Sequence, residues 1–155
     1  MSLPTQKLGV KTDEQREQIV FGRTIAWGKD TSGQFARIGR LGEFGPDYIT
    51  PKTFRRLIEE NYVNPDSTQN ASPTMGELCA LGENVESDDS VGSVRYTGYM
   101  IGPKRDDARI TLTAVTIKPE SGTTLSKDVQ REFEDVCRTG DEYERDDYRC
   151  HAWWD

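Results

Sequence analysis

A single histidine, His151, is the scarcest chemical resource of this 155-residue chain, and its isolation excludes every motif that needs two, such as the H-E-x-x-H zinc helix. Long apolar runs are missing too. No window approaches the ~18 consecutive apolar residues of a membrane span, and residues 1–18 hold no apolar h-region. The expectation is an intracellular, soluble protein with no membrane partner, cytoplasmic or, if the source is viral, carried in the virion. Cysteine is scarce and odd in number: Cys79, Cys137 and Cys150 leave one thiol over if any pair forms, which argues against a disulfide scaffold. Phosphate-cradling loops are absent, since residues 39–45, GRLGEFG, lack the G-x-G-x-x-G spacing and no G-K-[ST] occurs. No cofactor is implied. Hydrophobic residues make up only 34% of the chain, so the expected core is compact and the loops extensive.

Charge is plentiful and unevenly placed. Residues 1–62 carry 10 Lys and Arg against 8 Asp and Glu, whereas residues 63–155 carry 10 against 19. An acidic chain repels phosphate at long range, so nucleic acid is disfavoured as a partner unless the cations of the first part gather into a patch.

Turn chemistry and hydrophobic period divide the chain into elements. Residues 1–17 are polar and aperiodic, which predicts an arm, flexible or bound to a partner, ahead of a single domain at 18–155. Residues 18–27 and 33–41 read as a hairpin. Thr50 as N-cap, Pro51 at the first helical position and a stripe of Phe54, Leu57 and Ile58 predict a helix. Thr74 and Glu77 stand at capping-box spacing before a short helix ending near Leu81, and residues 82–92, GENVESDDSVG, read as an acidic loop. Residues 93–118 form the strongest hairpin signal. Their apolar parity switches at Gly98 and again at Ala114 and Val115, which predicts a β-bulge, with a charged tip at residues 104–107. Ser126 caps a helix running to Arg138, and Tyr148, Cys150, Ala152 and Trp154 alternate as a terminal strand should. The fold class is therefore α+β, an antiparallel sheet built on two hairpins with two to three helices packed on one face.

Three constellations could carry chemistry. Cys79, Cys137, Cys150 and His151 match the ligand count of a Cys3His zinc site, but no pair has the C-x2-4-C knuckle, and adjacent strand residues 150 and 151 point to opposite faces. Three core thiols are the preferred reading. Adjacent acids at 88–89, 106–107, 141–142 and 146–147 read as solvated loop charge. Arg37, Arg40, Lys52, Arg55 and Arg56 are the nucleic-acid candidates, with Glu59 and Glu60 placed to counter the helical ones. By elimination the leading expectation is a small non-enzymatic interaction or assembly subunit, a virion or accessory structural protein of a salt-adapted source. It would contact protein partners, or further copies of itself, through its arm, through Lys104 and Arg105 at the hairpin tip, and through Tyr148, Trp153 and Trp154. Two tryptophans near the end of the sequence are too apolar to leave in water, so each is either core or contact surface. The alternatives are a nucleic-acid-binding regulator using the basic residues of 23–56, and an enzyme with a Cys/His or carboxylate site.

Overall fold

A computed structural model describes residues 38–41, 49–60, 62–101 and 109–155, with backbone alone at 38–41, 100, 101 and 109. The arm at 1–17, the strand expected at 18–27, the hairpin tip with Lys104 and Arg105, Arg37 and the side chain of Arg40 lie outside the described residues.

The elements follow in the order β1 (Ile38–Leu41), α1 (Pro51–Glu59), α2 (Met75–Glu86), β2 (Val91–Ile101), β3 (Arg109–Pro119), α3 (Lys127–Cys137), β4 (Glu142–Arg145) and β5 (Cys150–Trp153). The five strands form one antiparallel sheet, ordered β1-β2-β3-β5-β4. The class is α+β, as the sequence predicts. One core joins the described elements: Phe54, Leu57, Leu78, Leu81, Val85, Val129 and Phe133 from the helices meet Val94, Tyr96, Leu112, Val115, Ile117, Cys150, Ala152 and Trp154 from the sheet. The three helices among the described residues thus lie against one face. No helix among the described residues is long and apolar enough to cross a membrane.

Each helix begins where its capping chemistry places it. Thr50 Oγ1 accepts from Thr53 N at 3.2 Å, and Ser126 Oγ from Val129 N at 3.2 Å. Thr74 and Glu77 complete a reciprocal capping box at 3.1 and 3.0 Å. The start of α3 is also tied to the end of α2: Asp88 accepts from Ser90 N and Oγ and from Ser126 Oγ. These bonds, led by that from the Ser90 hydroxyl, hold the Asp88 carboxyl below its usual range.

The first five residues of the acidic loop expected at 82–92 are helix, because α2 runs on to Glu86, and only residues 87–90 form the turn before β2. Gly82 misleads here. It sits under the ring of Tyr96, whose Oη donates to Leu78 O at 2.7 Å, and a Cβ at 82 would overlap that oxygen. The glycine records close packing rather than a turn.

The central hairpin carries the predicted bulge, with the extra residue in β3. Thr97 pairs with Ala114 and Gly98 with Leu112, leaving Thr113 unopposed. The insertion turns Ile110 and Leu112 to the same face as Val115 and Ile117. In β2 no residue is inserted at this point, and Tyr99 takes the outer face.

Candidate functional site

Two regions gather functional side chains: the sheet face turned away from the helices, and the β4–β5 hairpin at its edge. On the outer face the register sets cross-strand rows. One runs Arg95, Thr116, His151, Glu144, and the next Thr97, Ala114, Trp153, Glu142. Thr116 Oγ1 lies 2.8 Å from His151 Nδ1, and Nε2 is 3.6 Å from Glu142 Oε1. With the proton on Nε2, the ring accepts from the Thr116 hydroxyl and turns its N–H towards the carboxylate, at a separation longer than a formed hydrogen bond. Hydroxyl, imidazole and carboxylate so aligned follow the order of a nucleophilic triad. The same geometry is that of a cross-strand pair, which fixes the ring and ties β3 to β5.

Burial, and then the cation of Arg149, push the His151 pKa below its ordinary value against the opposing pull of Glu142 and Glu144. The folded state therefore binds the imidazole proton less well than the unfolded chain, whose value is about 6.5. Stability is fully present above that value and declines as pH falls from it towards the folded pKa. The denaturation midpoint is expected to be lower at pH 5.5 than at pH 7.5. In His151→Asn that difference should shrink; an unchanged difference would assign the pH response to other groups.

The four residues of the zinc alternative are placed apart in role. Cys79 faces the core from α2, its thiol 3.9 Å from Pro51 O, and burial pushes it up to about 12. Burial raises Cys137 further and brings Cys150 up to about 11. All three are buried and free, hence thiols rather than thiolates at neutral pH. Cys150 faces the helices whereas His151 lies on the outer face, so the strand alternation separates them. Among the described residues no group of three or more His, Cys, Asp or Glu could hold a metal ion.

The basic face of α1 is largely neutralised. Arg55 grips Glu83 of α2 through two bonds, Nε to Oε2 at 3.0 Å and Nη2 to Oε1 at 2.6 Å, and this partner lies one helix away from the expected Glu59. Arg56 pairs with Glu60 at 2.6 Å, as its spacing predicts. Lys52 is exposed. The described acidic pairs largely serve turns: Asp146 Oδ1 accepts from the backbone of Tyr148 and Arg149 at 2.7 and 2.8 Å, and Asp147 Oδ1 accepts from Lys127 and Gln130.

That acid-bonded turn presents Tyr148, whose surface is 69% exposed. An open cleft of about 590 Å3 lies beside it, formed by Tyr148 and the loop at 119–124. The loop is tethered to the turn, since Leu125 N donates to Asp147 O at 2.7 Å. Tyr143, in β4, stacks on Phe133 with ring centroids 5.4 Å apart and keeps 39% of its surface exposed. Among the described residues Tyr143 and Tyr148 are the exposed large hydrophobics, and one hairpin carries both. Trp153 is half-buried on the outer face. Trp154, expected in the core or at a contact, is wholly in the core, which removes it from the contact residues. Tyr143 is absent from the sequence-based candidates.

Comparison with protein-family models, with curated proteins and with solved structures finds no match to this chain.

Proposed function

We propose that the protein is a non-enzymatic interaction subunit whose contact element is the β4–β5 hairpin. The observation that carries this reading is the placement of Tyr143 and Tyr148, the most exposed large hydrophobics among the described residues, on one rigid hairpin. Tyrosine supplies a large contact area at small cost in conformational entropy, and it concentrates where binding energy concentrates. The hairpin is ordered before any partner arrives. Asp146 closes the turn, Phe133 backs Tyr143, and Arg145 is bridged to Glu134 at 2.7 Å. Such preorganisation lowers the entropy lost on binding.

The thiol pKa values support this reading over a Cys/His enzyme, since buried protonated thiols are poor nucleophiles. The ion pairs of Arg55 and Arg56 support it over a nucleic-acid regulator, because cations already held by carboxylates have less to offer phosphate.

Wild type and Tyr148→Ser, used as paired baits on material from the source organism, test the reading. A partner retained by the first and lost by the second is the expected result, with stability unchanged within about 0.5 kcal/mol, as for most surface substitutions. Identical captures by the two baits, or salt-dependent DNA binding abolished by Arg55→Glu with Arg56→Glu, would overturn it.

A further inference from the structure

We propose that the edge of β4 left unpaired among the described residues takes up an extended basic segment of a partner as an added strand, and that it disfavours a second copy of this chain. The inference rests on the interaction reading above and specifies the partner's chemistry. β4 is last in the strand order, and β5 is its one strand neighbour among the described residues. All four residues, Glu142, Tyr143, Glu144 and Arg145, are exposed. The β4–β5 register is continuous, with neither proline nor bulge to twist the strand away. A strand edge of this kind offers backbone donors and acceptors to an arriving chain.

Charge decides which chain can arrive. Two copies joined edge to edge about a twofold axis pair antiparallel, with opposed residues on the same face of the combined sheet. The opposed positions must then share parity. Centring the pairing on Tyr143 sets Glu142 against the other copy's Glu144, and centring it on Glu144 sets that carboxylate against its own counterpart. Both registers oppose like charges directly, which destabilises strand pairing.

An incoming strand with lysine or arginine at alternate positions meets the opposite situation. Glu142 and Glu144 lie on one face, two residues apart, at the spacing of side chains on one side of a strand. Glu144 is bonded to Arg149 at 2.6 Å and Glu142 approaches His151 at 3.6 Å. Both carboxylates stay well exposed, 46% for Glu144 and 66% for Glu142, and a carboxylate accepts more than one donor. Residues 141–149 hold five acids against two arginines. The residue between two such cations would fall opposite Tyr143, whose ring is already fixed on Phe133, so an apolar side chain fits there. The occupant is thus an extended segment with cations on one face and apolar side chains on the other.

The test uses the full chain and a synthetic peptide alternating lysine with valine, with binding followed by calorimetry at low salt. Two control peptides replace lysine by glutamate, or carry N-methyl groups on alternate backbone nitrogens. Expected are binding of the lysine peptide, none by the glutamate peptide, and a loss of roughly tenfold or more on N-methylation or in the Glu142→Lys/Glu144→Lys protein. Equal binding of the N-methylated peptide would reduce the effect to charge attraction and overturn strand addition. So would absence of binding by the lysine peptide, or a dimer in sedimentation that Glu144→Lys strengthens and the peptide leaves intact. Failure of the peptide while the Tyr148→Ser baits still differ would remove the strand-addition inference alone. Peptide binding with identical baits would instead remove the tyrosine-centred reading.

Discussion

Replacing Trp154 by alanine is expected to remove about 4 kcal/mol of stability, the usual range for deleting a buried tryptophan side chain, and to lower the urea midpoint by roughly 2 M. Trp154 lies one residue from the last in the sequence, yet none of its surface is exposed. Three bonds around it join distant parts of the chain. Its backbone N–H donates to Thr113 O at 2.9 Å, its indole Nε1 donates to Thr139 Oγ1 at 3.2 Å, and Thr139 Oγ1 donates in turn to Ala71 O at 2.7 Å. The side chain therefore fills core volume while its N–H closes a route from β5 through the end of α3 to the loop before α2. Trp154→Phe separates the two contributions. Keeping most of the ring but losing the indole donor should cost about 1 to 2 kcal/mol. A Trp154→Ala protein as stable as wild type, but defective in partner capture, would return this residue to the contact surface and contradict its burial.

Trp154 also shows what was legible in the sequence and what was not. Its alternation with Cys150 and Ala152 placed it on a strand, and two physical outcomes remained open for so apolar a side chain. Which one holds depends on whether α3 ends beside it, and that is a property of the tertiary arrangement. Local chemistry was read well: Thr50, Thr74 and Ser126 cap their helices because a hydroxyl at that position finds the same amide whatever surrounds it. Non-local contacts were read poorly. Gly82 resembles a turn residue until Tyr96 is seen above it. β4 escaped notice because its four residues are all exposed, so no apolar alternation marks it. That omission hid half of the candidate site. Tyr148 was named from its alternation with Cys150 and Ala152, although it lies in the turn before β5, while Tyr143 required the strand and the stack on Phe133 to be known.

Gly98→Ala is expected to cost about 3 kcal/mol or more, the upper part of the range for overpacking, and to lower the melting temperature by roughly 10 °C. The cause is the bulge. Thr113 is the residue left unopposed, and the strand closes up on either side of it so that Gly98 pairs with Leu112. The closure brings β3 backbone into the space a side chain at 98 would need. A Cβ there would overlap the Thr111 carbonyl oxygen and lie 2.8 Å from Leu112 Cα. Because the obstacle is backbone rather than a side-chain tip, relief requires shifting the strand. The Thr113 carbonyl bonded to Trp154 N would shift with it. Gly122 provides the control. It has φ of +81° with nothing within 4 Å of an added Cβ, so Gly122→Ala meets only the backbone penalty of the left-handed region, about 1 kcal/mol. Alanine should therefore cost more at 98 than at 122, because Gly98 is the point where the bulge in β3 presses against β2. Equal costs at 98 and 122 would mean that the hairpin absorbs the methyl group by sliding, and that the bulge is not what sets the facing of Ile110 and Leu112.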